Sequence, residues 1–323
     1  MKAIRVARTG GPEVLEYVDV ADPTPGPGQA LVRLEAIGVN FIDVYHRTGL
    51  YPMPMPFTPG SEGAGVVMAL GEGSAEGTGA RVGDRVAYCM APGAYAELGV
   101  VPQERLVVLP EHVDTATAAA TMLQGMTAHY LASSTYPLRP GDDALVQAAA
   151  GGVGALLVQI AKMRGARVFG TASTHHLDIA RQAGADVVID YTKEDFHDVV
   201  MQATAGRGVH VVYDSVGRTT FDKSLDSLAR RGMLALFGQS SGVVPPLELA
   251  RLAKGSRFVT RPTLFDYSTS RDEIAWRAGE LFGWIAEGRL RIRIDRKVPL
   301  RDAAEAHRAL EARETAGKVL LIP

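Results

Sequence analysis

Apolar positions in the first third of the chain fall in short runs spaced for strands rather than helices. Residues 2–7, 14–20, 30–39, 63–70, 85–88 and 94–101 run or alternate apolar, separated by turn clusters such as Asp22-Pro23-Thr24-Pro25-Gly26-Pro27-Gly28 and Gly71-Glu72-Gly73-Ser74. Many short strands with glycine and proline punctuation predict a closed or partly closed β-barrel. Near Thr115 the texture changes, and residues 116–131 become alanine-rich with helical spacing. From Asp142 onward strands and helices alternate. Strands are expected at 143–147, 167–171, 187–189, 209–214 and 233–237. Helices are expected at 153–164, 175–183 (closed by Gly184), 194–204 and 220–229. Short, continuous apolar strands between helices are the mark of a parallel sheet covered on both faces, a doubly wound domain. The tail departs from that rhythm, with a helix at 272–287, a strand at 291–298, a helix at 301–313 and a last strand at 318–321. It is expected to return to the first domain. The fold class is therefore α/β, a β-barrel domain plus a doubly wound parallel-sheet domain, with borders at 1–124, 125–264 and 265–323.

Composition narrows the function classes. A chain of 323 residues is long enough for two cores. A net charge of −2 without a basic stripe gives no reason to expect a nucleic-acid partner. The single cysteine, Cys89, allows neither an internal disulfide nor a multi-cysteine zinc lobe, and fits a reducing compartment. The N-terminus lacks the apolar stretch of a signal peptide. The most apolar segment, 144–161, is broken by Gln147, Gln159 and glycines, so no membrane span is expected. A cytoplasmic protein is the expectation.

The candidate chemistry begins at Ala149-Ala150-Gly151-Gly152-Val153-Gly154, between an expected strand and an expected helix. Gly151 lets a backbone approach a pyrophosphate, Gly154 lets the helix pack closely on the strand, and the helix N-terminus offers unpaired N–H groups. Ala149 stands where the dinucleotide fingerprint has its first glycine, which demands a slightly different turn. A packing turn of some other α/β domain is the competing reading. An acid about 20 residues on would bind the ribose 2′-hydroxyl of NAD. The chain instead reads Gly170-Thr171-Ala172-Ser173-Thr174-His175-His176, so the 2′-position is open to a phosphate and NADP(H) is expected. Ser173 and Thr174 would donate hydrogen bonds, and His175, His176 or Arg181 would supply charge. The other reading makes them a helix cap and solvated histidines.

Eight histidines and one cysteine show no metal-ligand spacing. Cys89 with His46 and Glu62 is a conceivable three-ligand zinc set. A buried inert cysteine and a surface histidine are the simpler account, so no metal is expected.

Several segments together resemble the zinc-free, zeta-crystallin-like quinone oxidoreductases of the medium-chain dehydrogenase/reductase superfamily. They are Gly38-Val39-Asn40-Phe41-Ile42-Asp43-Val44-Tyr45, Pro59-Gly60-Ser61-Glu62-Gly63-Ala64-Gly65, Gly83-Asp84-Arg85-Val86, Gly93-Ala94-Tyr95-Ala96-Glu97 and the glycine-rich loop. Tyr213-Asp214-Ser215-Val216-Gly217, Phe237-Gly238-Gln239-Ser240-Ser241-Gly242 and Thr260-Arg261-Pro262 complete the set. The resemblance covers essentially the whole chain. It implies a GroES-like barrel with an inserted Rossmann domain, NADPH-dependent reduction of quinones, and a homodimer joined through Rossmann sheet edges near residues 257–264. Zinc alcohol dehydrogenases of the superfamily carry a histidine ligand where this chain has Ser61.

The resemblance also implies site residues. Cofactor contacts fall on Thr127, Ala150, Gly151, Gly152, Val153, Gly154, Ser173, Thr174, His176, Tyr191, Ser215, Phe237, Gly238, Ser240, Arg261 and Lys318. For Arg261 and Lys318 a plain salt bridge is the other reading. A lysine that family members often use on the 2′-phosphate is replaced, on this alignment, by Leu177. Asn40 and Tyr45 are implied in the cleft, Tyr45 bonding the substrate oxygen and Asn40 orienting ring or substrate. A helix N-cap (Asn40) and a wall aromatic (Tyr45) are the alternatives. The apolar loop 48–57 is a candidate substrate wall. A quinone is already electrophilic and needs a positioned hydride donor rather than a Lewis acid. An enone or alkene reductase on the same scaffold, and an NADPH-binding structural or RNA-binding crystallin-like role, are the rival functions.

Overall fold

The computed structural model describes residues 1–73 and 79–323. Ser74, the end of one expected turn cluster, lies outside the described residues. The chain divides into two compact units, Met1–Met126 with Tyr267–Pro323, and Thr127–Asp266.

The elements of the N-terminal stretch are β1 (Lys2–Arg5), β2 (Glu16–Asp19), β3 (Gln29–Val39), α1 (Phe41–Thr48), β4 (Glu62–Leu70), β5 (Arg85–Cys89), β6 (Leu98–Pro102), β7 (Val107–Val108) and α2 (Thr115–Tyr130). The middle of the chain forms β8 (Asp143–Val146), α3 (Gly152–Met163), β9 (Arg167–Ala172), α4 (Leu177–Gln182), β10 (Val187–Asp190), α5 (Phe196–Ala203), β11 (Val209–Asp214), α6 (Phe221–Asp226), β12 (Leu228–Leu236), α7 (Ala250–Ala253) and β13 (Phe258–Thr260). The C-terminal stretch supplies α8 (Arg271–Ala286), β14 (Ile294–Pro299), α9 (Ala303–Glu311) and β15 (Lys318–Ile322).

In the first unit the described residues build a seven-stranded mixed sheet in the order β14-β15-β3-β4-β5-β7, with β6 also on β3, and a separate β1-β2 pair. The long strand β3 pairs antiparallel with β4, β6 and β15. Its alternating burial puts Ala30, Val32 and Leu34 on the core side, where they join Val67, Val86, Tyr88 and Tyr95. The expected strand at 94–101 is regular only over Leu98–Pro102, because residues 94–97 turn to bond Pro59, Gly60 and Lys2 instead.

In the second unit a six-stranded sheet runs β10-β9-β8-β11-β12-β13, all parallel. The strand order reverses between β8 and β11. Ligands of open parallel sheets bind outside the carboxyl ends of strands at such a reversal. Two helix expectations are corrected here. The helix expected at 220–229 ends at Asp226, because Leu228 joins β12 opposite Val209 and is buried in the core. Burying such a side chain is worth about 1.5–3 kcal/mol, more than one further helical residue returns. The helix expected at 175–183 starts at Leu177, after a tight 3-10 turn over Thr174–His176. Gly184, with φ 101°, ends it as expected.

Candidate functional site

In the second unit the glycine-rich loop leaves β8 at the sheet's reversal point. The residue in the left-handed region is Ala148, at φ 53°, so the unusual turn falls one position before Ala149. The turn is held from both sides. The Ala148 N–H donates to Thr171 Oγ1 at 3.1 Å, and the Ala149 N–H donates to the Thr171 carbonyl at 2.8 Å. Beneath it the Thr171 hydroxyl donates to Gln147 at 2.7 Å, Gln147 to Ser224 at 3.2 Å, and Ser224 to Asp214 at 2.8 Å. Asp214 is fully buried and also accepts the N–H groups of Val216 and Gly217. One buried carboxylate thus ties the loop after β8 to the loop after β11.

Gly151 is the N-cap of α3, and the first i to i−4 bond of the helix runs from Ala155 to Gly151. The N–H groups of Gly152, Val153 and Gly154 precede that bond, and Gly152 and Val153 are half-buried. A helix start of this geometry presents its first N–H groups to whatever lies beyond it, the arrangement an anion requires. A Cβ at Gly154 would overlap the Ala148 carbonyl, so the close approach requires glycine there. Ala150 is buried beside the turn, and Thr127 is buried on α2.

At the end of β9, His176 places Nδ1 3.3 Å from Ser173 Oγ. Thr174 and Thr192 donate to Asp190, and those bonds hold its carboxyl down at about 2. Arg181 is paired with Asp178 at 2.7 Å. Tyr191 is exposed, and Leu177 is the first residue of α4. On the other side of the reversal, Phe237 N–H donates to Asp214 O at 2.9 Å and Ser240 N–H to Ser215 O at 3.2 Å. A Cβ on Gly238 would overlap the Ser215 carbonyl, so these two loops touch through backbone. Arg261 donates to the Leu236 carbonyl at 3.1 Å.

The first unit holds a different assembly. Asn40 is the N-cap of α1, and its backbone N–H donates to Asp43 at 2.9 Å. Its side chain is almost fully buried and fully engaged. Nδ2 donates to Glu62 at 2.7 Å and to the Gly38 carbonyl at 3.3 Å, while Oδ1 accepts from Lys318 at 2.9 Å. Lys318, at the start of β15, is buried and ion-paired with Glu62. Glu62 also accepts the Leu123 N–H at 2.6 Å. A Cβ on Gly38 would overlap the Glu62 carboxylate, which accounts for the glycine before Val39. Asp43 is fully buried, and burial pushes its carboxyl up to about 7 against the pull of Asn40 N–H, Lys318 and Ser61. Tyr45, one turn along α1, is half-buried, with its ring 5.2 Å edge-on to Tyr51 and 6.1 Å from Phe41. In the loop 48–57, Met53 packs on the core and Phe57 is buried, while Met55 is exposed.

The donor set does not fit a metal ion. Ser61 donates to Asp43 at 3.1 Å, Glu62 already carries the Lys318 ammonium, and Cys89 is buried beside Met126 with its thiol pushed up by burial. Among the described residues no group of three histidine, cysteine or carboxylate side chains is placed to hold one. Among them, too, no helix is long and apolar enough to cross a membrane.

Sequence reasoning missed Asp43 as a member of this cluster, and with it Tyr95, whose hydroxyl lies 3.2 Å from Asp43, and His307 and Arg47, which are hydrogen-bonded in turn behind Tyr95. Only the spacing Asn40-x-x-Asp43, an N-cap and its N3 acid, carried a local signal.

Two family models match the chain: the alcohol dehydrogenase GroES-like domain over residues 26–111, and zinc-binding dehydrogenase over residues 183–321. The chain is 48% identical to a quinone oxidoreductase of Pseudomonas aeruginosa, over 100% of this chain and 99% of that one. It is 41% identical to a 2-haloacrylate reductase of a Burkholderia species, over 98% of each. The crystal structure of Escherichia coli quinone oxidoreductase complexed with NADPH superposes with a TM-score of 0.97 at 42% identity, covering 100% of both chains.

Proposed function

The chain belongs to the quinone oxidoreductase family of the medium-chain dehydrogenase/reductase superfamily, and from that premise we propose that it reduces a quinone with NADPH. The observation that carries the cofactor is the start of α3 at the sheet reversal, with Gly151 as cap and Gly154 closed to any side chain. On this reading Ala150, Gly151, Gly152, Val153 and Gly154 hold the pyrophosphate, as an N-terminal dipole and N–H groups hold any anion. Ser173, Thr174, His176 and Tyr191 surround the 2′-phosphate, where β9 ends without an acid. Ser215, Phe237, Gly238, Ser240, Arg261 and Thr127 line the remainder of the nucleotide. NADPH, when bound, would supply the hydride.

The rest is done by the chain. Tyr45 hydrogen-bonds the substrate oxygen as negative charge develops on it. Asn40, held by Glu62 and Lys318, orients the nicotinamide ring or the substrate, and Lys318 meets the nucleotide beside it. Solvent supplies the final proton, since a hydroquinone oxyanion needs no dedicated acid. The protein works in the cytoplasm as a homodimer, paired along β13, the sheet-edge strand on which Phe258 is exposed.

The similarity to a 2-haloacrylate reductase supports a second reading, reduction of an activated alkene. Steady-state assays of NADPH and NADH against quinones, enones and 2-haloacrylates decide between them. A higher kcat/KM for quinones with NADPH is the expected result. A higher value for an alkene acceptor would replace the first reading with the second, and no turnover with any acceptor would refute both.

A further inference from the structure

A chain of buried hydrogen bonds runs from the C-terminal helix α9 to the first turn of α1, and its direction can be deduced. Arg47 sets it, because a guanidinium only donates. Arg47 Nη1 lies 3.2 Å from Nδ1 of His307, so Nδ1 accepts and the ring proton sits on Nε2. Nε2 lies 3.0 Å from the Tyr95 hydroxyl and donates to it. The Tyr95 proton is then directed to Asp43 Oδ2, 3.2 Å away. That oxygen also accepts the backbone N–H of Asn40, while Oδ1 accepts from Ser61. At the outer end Arg47 is clamped by Glu311 through two bonds of 2.7 and 2.9 Å. Arg47, His307, Tyr95 and Asp43 are each at most 1% exposed.

A buried chain of this kind stabilises the fold only modestly over an apolar packing of the same volume. What it does specifically is orient. Every donor direction follows from Arg47, and the last acceptor is the carboxylate that caps α1. We propose that His307 is a positioning residue for the reaction, acting through Tyr95 and Asp43 on the turn of α1 that carries Asn40 and leads to Tyr45. The proposal rests on the reading of Tyr45 as the group that meets the substrate oxygen.

Without the ring N–H of His307 the Tyr95 hydroxyl loses its fixed orientation, and without that hydroxyl Asp43 loses one of three donors. The α1 turn then samples other arrangements, and the cost falls on the chemical step. The charged and titratable groups facing Asp43 are Lys318 from β15, Glu62 from β4, Tyr95 from the loop before β6, and, through Tyr95, His307 from α9 and Arg47 from α1. Fewer donors favour the protonated carboxyl, so the acid limb of the pH profile should move up.

The test uses the full chain and four variants: Tyr95→Phe, His307→Leu, His307→Gln and Tyr45→Phe. Quinone kcat and KM, their pH profiles, the NADPH dissociation constant and the melting temperature are measured for each. The expected result is a loss of about tenfold in kcat/KM for Tyr95→Phe and His307→Leu, with NADPH affinity unchanged. The acid limb rises in Tyr95→Phe, and His307→Gln, which keeps an N–H toward Tyr95, recovers most of the rate. Tyr95→Phe is nearly isosteric and carries the test if His307→Leu fails to fold. Wild-type kcat/KM and an unmoved acid limb in folded Tyr95→Phe would overturn the proposal. Wild-type activity in Tyr45→Phe beside losses at Tyr95 and His307 would refute the Tyr45 assignment and leave the positioning acting through Asn40. Absence of quinone turnover in the wild type would remove both.

Discussion

The Lys318 ammonium donates to the side-chain oxygen of Asn40 at 2.9 Å, in a pocket from which both residues are almost wholly withdrawn from water. Glu62 supplies the counter-charge. Removing one member of a buried ion pair leaves the other charge without a partner, at a cost of about 3–5 kcal/mol. Lys318→Met should therefore lower the unfolding free energy by about that amount, and Glu62→Gln added to it should restore most of the loss. Urea unfolding of the two single variants and the double variant checks this. An additive double variant would disprove the coupling.

His307 makes stability depend on pH. Burial and the neighbouring Arg47 hold the imidazole down at about 3, against 6.5 for the free side chain. On acidification the unfolded chain takes the proton first. The contribution of His307 is thus fully present above about pH 6.5 and falls toward pH 3 by up to roughly 1.4 kcal/mol per unit, while Asp43, held up at about 7, contributes with the opposite sign over the same range. The stability difference between His307→Gln and the wild type should therefore shift in favour of the variant as the pH is lowered from 7 to 4, read from unfolding free energies of both proteins at each pH. A difference independent of pH would contradict the assignment.

Gly154 faces the Ala148 carbonyl with no room for a methyl group. Gly154→Ala must push α3 away from the loop, and we expect NADPH affinity to fall at least about tenfold, with a smaller loss of stability. Calorimetric titration beside thermal melts separates the two effects. Unaltered NADPH binding would show that the loop does not hold the pyrophosphate.

His176 stands beside Ser173 at the end of β9, where Arg181 is turned to Asp178. His176→Gln should weaken NADPH by about 1 kcal/mol, roughly fivefold, and leave NADH unaffected. His176→Lys, which puts an ammonium at the same position, should tighten NADPH and leave NADH unaffected. Dissociation constants for both nucleotides provide the measurement. Parallel changes for NADPH and NADH would show that His176 does not meet the 2′-phosphate.

Phe258 lies exposed on β13, the edge of the parallel sheet. Phe258→Glu should convert a dimer to monomer in light scattering, because a charge cannot be buried unpaired along a paired edge. A wild-type monomer would remove the homodimer reading.

Much of this molecule was legible because the signals are local. Apolar alternation marks β3 and β4, and continuous apolar runs mark β8, β9 and β11, so the two architectures separate by period alone. The glycines at 151 and 154 announce a backbone approach, and the residues after β9 announce a missing acid. Even there the left-handed residue is Ala148 rather than Ala149, because Thr171 on the neighbouring strand holds the N–H groups of both. Where α6 ends was decided by Leu228 and its partner Val209 across the sheet, a packing gain that no helix propensity records.

The order of elements, the two-part α/β character and the glycine-rich loop are written locally, since each follows from residues within a few positions of one another. The polar cluster at α1 is not. Tyr95 and His307 are 212 residues apart, and Asn40 and Lys318 are 278 apart. Hydrophobic periodicity says which face turns inward, but a buried donor must find its acceptor wherever the fold brings one, and that match is set in three dimensions.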